Sequence, residues 1–553
     1  MLKFDETFAV DALIVGGGLA ALTAAHTCAE AGLSVAVVVK NRLCSGSSFY
    51  PLTGALGCQM PKDDQDKELF YKEICDVGAG MQDADLARIY VDEIRACLPL
   101  LDKMGFYYII PEGGRKACFA ERERTLVNLR ELNTKKDDIA QRLKEYGNVS
   151  VLEYTDALCL IKDGDRVAGA VVSDYRSRLC YIKATSTLLA TGGYGGLYKH
   201  SLSTNDVCGL GHALALEAGA ALVNMEFTQF IPGVISPVYK LLFNEFSLRF
   251  CEGLFDKQGN SILSKYLPEG ITERACIDSR SGHGPFTSKD QSKYFDIAMM
   301  SEILRTGDES GFRLQYDPAM FNSENYYDVS YLDFAKAKGV NLQKESLWVA
   351  PFGHAANGGV RIDENGATTV KGLYAAGEIS GGLHGADRHG GNATGNCLLF
   401  GFRAAKQIIR EKAEKVVAPE NDAAMKQFLA KLDSGNAGYI SDEETMTTIR
   451  STLWKRCNVV RSEVELDRAL AEVNQLKRLY NASTLVASGT SISNAVAAAG
   501  AITTAQALLL AAQGRKESRG SHYRADYDKR NDPAYGKRQW ITMQDGCMAS
   551  SLK

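Results

Sequence analysis

Residues 374–405, YAAGEISGGLHGADRHGGNATGNCLLFGFRAA, set one cation, Arg388, with His384 and Asn392 among glycines at 377, 381, 382, 385, 390, 391 and 395. So many glycines let backbone amides approach a bound anion or a flat ring closely. A cation inside such a loop points to an acidic ligand lying beside a cofactor. Near the other end of the sequence, Gly16, Gly18, Leu19 and Ala20 belong to a GxGxxA turn. That turn joins an apolar strand to a helix, which aims the helix N-terminus and its free amides at a pyrophosphate. Lys40 closes the next strand, where an acidic residue for a nicotinamide dinucleotide's ribose is expected. The site is therefore not expected to bind NAD.

The elements that must position these groups are legible in outline. AVDALIV, the glycine turn, LTAAHTCAEAG and LSVAVVV read as strand, turn, helix and strand over residues 9–39, the helix ending at Gly32. Residues 66–145 read as mostly helical, with an apolar interruption near Tyr107–Pro111, and residues 150–190 as successive strands. From about Val234 to Val349 the pattern turns irregular and aromatic, as in an inserted lid. Beyond about Val417 the chain reads as charged, helical and ending in a polar tail.

Composition narrows the function. Lys+Arg 63 against Asp+Glu 67 is nearly balanced, which argues against a nucleic-acid or anionic-membrane partner. The 14 cysteines include no CxxC or CxxCH pair, which excludes the usual zinc, haem c and cysteine-ligated iron–sulfur patterns and fits a reducing cytoplasm. The N-terminus has no basic region or cleavage site, so a signal peptide is not expected. The apolar run Ala495–Ala512 is interrupted or flanked by Asn494, Thr503, Thr504, Gln506 and Gln513, and reads as a buried helix rather than a membrane span.

Residues 374–405 resemble the second flavin-binding stretch, HGANRLGGNSL, of the succinate dehydrogenase/fumarate reductase flavoprotein family. Four more segments follow in family order. GSSFYPLTGALG (46–57) resembles the GSTFYAQGGIA stretch of L-aspartate oxidases, and TGGYGGLY (191–198) the ATGG box. GLGHALALEAGAALVNMEFTQFIP (209–232) resembles GDGHAMALRAGAPLxDMEFxQFHP, and SRGSHYRADYDKRND (518–532) resembles SRGAHxREDYPxRDD. The resemblance implies an α/β fold: a Rossmann-like FAD-binding domain (1–233 and 353–416) interrupted by an α+β capping domain (234–352), then a helical C-terminal domain (417–553). It implies FAD, held also by Ser47, Ser48, Gly54, Ala190, Thr191, Gly192, Asp206, Glu378, Asn392, Asn396 and Leu398. No histidine occurs between residues 27 and 199, where membrane-bound members carry the one that links to the flavin, so the FAD is expected to be non-covalent.

The resemblance further implies hydride transfer between flavin N5 and the C=C bond of an α,β-unsaturated carboxylate. His354 and Arg388 would bind the carboxylate, Arg274 would supply the proton with Arg280 as runner-up, and Glu245 would contact substrate and join a proton relay. Two departures matter: the family's QFHP histidine is Ile231 here, and the threonine before the glutamate is Asn244. An isoleucine cannot donate to a second carboxylate, so the expected substrate keeps one carboxylate and fumarate itself is disfavoured. The alternatives are an amino-acid oxidase resembling L-aspartate oxidase and a non-catalytic electron-transfer subunit. Partners implied are the small carboxylate and an iron–sulfur or other electron-donor subunit, with membrane association only through such a partner.

Overall fold

The computed structural model describes residues 2–49, 56–113, 116–241, 243–412, 414, 416–433, 440–487, 489–544 and 546–553. The apolar run Leu13–Val15 ends a ten-residue strand, Glu6–Val15, paired in parallel with Val35–Val39 on one side and Leu179–Leu189 on the other. Leu13, Ile14 and Ala36–Val38 are essentially inaccessible, the pattern of parallel strands covered on both faces. Leu179–Leu189 is the seam of the domain. Residues 179–183 of its far edge take up the antiparallel meander Thr155–Asp163/Arg166–Asp174, and residues 187–189 pair in parallel with Leu373–Ala375. The strand leading to the glycine loop is thereby set beside the one ending at the first glycine turn. The helix Asn392–Glu411 packs against Leu19–Glu30, and Gly401 permits it, since a Cβ there would lie 2.7 Å from the Ala20 carbonyl oxygen.

The cap rises on two long strands, Thr228–Ser236 and Leu347–Ala356, which run antiparallel. Phe312–Tyr316 and Cys251–Phe255 complete a four-stranded sheet, and the helices Glu273–Arg280 and Lys293–Thr306 pack with it. Both long strands run through the boundaries expected at 233/234 and 352/353.

Two regions differ from the expectation. The stretch 56–130 is not purely helical: Leu56–Met60, Thr125–Arg130 and Tyr107–Ile109 form a small antiparallel sheet. The last residues are not a loose tail either. Gln539–Gln544 and Cys547–Leu552 form a hairpin that extends a five-stranded sheet through Leu222–Val223. Neither strand of that hairpin alternates cleanly, because Gln539 is buried while Met543 and Met548 are only half covered. Among the described residues one helix, Ile492–Gly514, is long and apolar enough to cross a membrane, but 78% of its apolar window is buried against protein. It is a core helix of the C-terminal domain, and Thr504 in its middle donates to the Gly209 carbonyl at 2.8 Å.

All eight histidines have pKa values lowered by burial, to about 4 for His26, His200, His283 and His389, and further for the others. The unfolded chain therefore binds protons that the folded chain refuses. Stability is full above about pH 6.5 and is lost as pH falls through that value. The buried carboxyls of Glu226, Glu245, Asp296, Glu378 and Asp387 are raised and act in the opposite sense, but they are fewer. The thermal midpoint is expected to fall as pH is lowered from 7 to 5; calorimetry showing an unchanged or higher midpoint at pH 5 would contradict this.

Candidate active site

The first glycine turn builds a cradle. Gly16 has φ +132°, and a Cβ there would lie 2.2 Å from the Ala190 carbonyl oxygen, so glycine alone lets the two crossing strand ends touch. The helix Leu19–Glu30 starts at Gly18 without a side-chain cap; Ser48 Oγ takes the Leu19 amide at 3.2 Å, leaving the next amides for an anion. A cleft of about 1100 Å³, part of it open to solvent, runs from this turn between the strand ends. Gly16, Gly18, Leu19, Ala20, Lys40, Ser47, Ser48, Ala190, Thr191, Gly192, Asp206 and Glu378 all line it.

The donor set fits a dinucleotide. Thr191 Oγ1 and Ser47 Oγ are buried without a protein partner, so a ligand must satisfy them. Lys40 pairs with Asp156 at 3.5 Å, and Asn41 donates to Asp206 at 3.0 Å, forming a polar end to the cleft. Asp156 and Asn41 carry no signal in the sequence, because each sits in an otherwise ordinary strand-end context. Asn396 does not line the cleft but closes its floor, donating to the Gly377 carbonyl at 3.1 Å; Asn392 is held by the Tyr90 hydroxyl at 3.3 Å. Leu398 is a fully buried core residue and does not line the cleft. Gly54 lies outside the described residues.

Beyond Glu378, a second group of side chains converges under the cap. His354 stands on a β-bulge: Gln229 faces Ala355 and the next residue, Phe230, faces Gly353, so His354 is the extra residue of its strand. Bulges re-aim side chains. This one turns His354 toward Arg388, whose charge, after burial itself, helps hold the imidazole neutral, with its pKa down near 3. Arg388 is 8% exposed; its Nε donates to Gln229 Oε1 at 3.2 Å and one terminal nitrogen to the His389 carbonyl at 3.2 Å. No carboxylate of the described residues lies within ion-pair distance of it, an unusual state for an enclosed guanidinium.

The cap supplies the opposite wall. Arg280, fully buried, donates from Nε to Asp296 at 2.6 Å and from Nη1 to the His283 carbonyl. Burial raises the Glu245 carboxyl, with Arg280 pulling the other way. A Cβ on Gly284 would meet Glu245 Oε1 at 3.2 Å and Ile231 Cδ1 at 3.4 Å, and the Gly284 amide donates to Cys118 Sγ at 3.1 Å. Glu245, Ile231, Cys118 and Gly284 therefore share one corner. Burial pushes the Cys118 thiol up to about 12, so it is present as a neutral thiol. Asn244 is used locally: its side chain accepts from the Phe246 amide at 3.0 Å and caps the short helix that carries Glu245.

Arg274 is not in this group. It lies near the start of the Glu273–Arg280 helix, half exposed, tied to Asp278 one turn on and donating to the Cys251 carbonyl at 2.9 Å. Six residues turn an α-helix by about 240° beyond a full turn, so Arg274 and Arg280 cannot share a face. The buried face is Cys276, Ile277 and Arg280. That spacing is a usable sequence signal for preferring Arg280. Cys118 has none, since the irregular stretch around it has no period to read.

Residues 11–394 match the model of the FAD binding domain family, and residues 446–551 that of the fumarate reductase flavoprotein C-terminal region. The chain belongs to the FAD-binding flavoproteins of the fumarate reductase and succinate dehydrogenase type. It is an FAD-dependent oxidoreductase. Among curated relatives, the flavoprotein-like chain of the CoM/CoB fumarate reductase from Methanothermobacter marburgensis is 29% identical over 560 residues, covering 95% of each chain. The L-aspartate oxidase of Yersinia pestis is 26% identical, covering 94% of this chain and 96% of its own. Among solved structures, the E. coli quinol fumarate reductase flavoprotein superposes with a TM-score of 0.81 at 22% identity, over 99% of this chain and 97% of its own. Mycobacterium smegmatis Sdh1 gives 0.82 at 23%, over 99% and 94%.

Proposed function

We propose that the chain reduces, or in reverse forms, a C=C bond conjugated to a single carboxylate. The observation that carries this is the contrast between two enclosed arginines. Arg388 has no carboxylate partner among the described residues, whereas Arg280 is committed to Asp296. A substrate carboxylate completes Arg388 through charge-assisted hydrogen bonds, with the neutral His354 beside it as a further donor. At the far end stand Ile231, Gly284 and the Cys118 thiol. A second carboxylate placed there would lose its hydration without gaining a cationic partner.

FAD, held by the glycine cradle, Thr191, Ser47 and Glu378, supplies hydride donation and acceptance when bound. The protein's part is orientation and protons. Arg388 and His354 fix the carboxylate and stabilise the charge that gathers on its oxygens as the double bond is reduced. Arg280, held rigidly by Asp296 and the His283 carbonyl, delivers the proton, and the protonated Glu245 restores it. The cap helices that carry Arg280 exclude water from the corner. This assigns the donor role to Arg280 in place of Arg274. No histidine lines the cleft, which supports non-covalent FAD. The electron donor is a separate protein or reduced carrier, and 14 free cysteines support a reducing, cytoplasmic setting.

A second reading has its own support: L-aspartate oxidases match along 94% of this chain, and an amino acid likewise offers one carboxylate beside the oxidised bond. Ile231→His tests the main reading. It is expected to improve kcat/KM for fumarate relative to crotonate by at least tenfold; an unchanged ratio would remove the far-end argument.

A further inference from the structure

Gln229 stands in the interior at 0% exposure, on the strand that also carries Ile231, two residues on and on the same face. Its amide orientation is fixed chemically. The Arg388 Nε–H is a donor, so the group it meets at 3.2 Å is the carbonyl oxygen of the amide. The amide NH₂ must then point elsewhere, and it is buried with no hydrogen-bond partner. An enclosed NH₂ without an acceptor costs about 1–3 kcal/mol. It belongs to a side chain bonded directly to Arg388, opposite the bulge that presents His354. Arg388 lacks an anion and Gln229 lacks an acceptor at the same place.

We infer that Gln229 is a positioning residue and a carboxylate ligand: it orients the Arg388 guanidinium through its oxygen and gives the substrate carboxylate a neutral N–H donor through its nitrogen. The inference rests on the proposed role of Arg388 as the carboxylate's cationic partner. It also explains why the side chain is an amide. A glutamate here would supply an internal anion to Arg388 and close the site to an external one.

The test uses the FAD-loaded full-length protein and crotonate as probe, titrated against the flavin absorbance spectrum without turnover. Gln229→Glu is expected to retain FAD and to weaken crotonate binding at least 100-fold; Gln229→Leu should weaken it about tenfold. Arg388→Gln serves as the reference. If crotonate binding survives in Arg388→Gln, the underlying reading of the site is wrong. If Arg388→Gln abolishes binding while Gln229→Glu binds within threefold of the parent, the Gln229 inference alone is overturned. Loss of FAD from both Gln229 variants, with crotonate affinity unchanged in the fraction that keeps it, would also overturn it, because the donor would then serve the cofactor.

Discussion

Arg388→Gln is expected to lower kcat/KM by about 10³-fold or more while leaving FAD bound. The loss corresponds to about 4 kcal/mol, within the range for removing one side of an enclosed, hydrogen-bonded charge pair. The variant keeps hydrogen-bonding capacity toward Gln229 and the His389 carbonyl but loses the charge that a carboxylate needs. Because Arg388 has no protein carboxylate to leave stranded, its replacement should not destabilise the fold; removal of an enclosed, unpaired cation should raise the thermal midpoint slightly. Steady-state kinetics with flavin content and thermal denaturation on the same samples check all three statements. Inactivity caused by loss of FAD would count against the assignment of Arg388 to the substrate.

Arg280 behaves oppositely, and this separates catalysis from stability. Arg280→Gln leaves Asp296, at 0% exposure, without its cation, which costs about 3–5 kcal/mol. Activity should fall at least 10²–10³-fold, the usual range for loss of a positioned acid. The double variant Arg280→Met/Asp296→Leu removes the stranded charge and is expected to recover most of the thermal stability but none of the activity. Arg274→Gln, at the half-exposed Asp278 pair, should stay within about twofold of the parent in both measures. If Arg274→Gln were the inactive protein, the donor assignment would return to Arg274.

The glycine turn and the 374–405 loop are legible in the sequence because their function is met by backbone geometry that few other residues permit: Gly16 is needed where the Ala190 carbonyl crosses. The two-layer FAD-binding domain follows from apolar strand runs and the helix between them. The substrate side is less legible. His354 is marked by its spacing, but its orientation depends on a bulge between two strands over a hundred residues apart, which no local pattern records. Motif similarity favours Arg274 over Arg280, against the helical period that buries Cys276, Ile277 and Arg280 together. Leu398 and Asn392 belong to the right helix but face its packing side rather than the cleft. Gln229 lies two residues from Ile231, yet its importance comes from an unpaired nitrogen that only the folded arrangement exposes. The C-terminal hairpin leaves no period-two trace because its strands lack alternation.

The most direct measurement is anaerobic reoxidation of the photoreduced FAD-loaded protein by fumarate, acrylate, crotonate, cinnamate, urocanate and iminoaspartate. Rapid return of the oxidised flavin spectrum is expected with at least one monocarboxylic enoate, and slow return with fumarate. Reoxidation by fumarate as fast as by any monocarboxylate would contradict a site built for a single carboxylate.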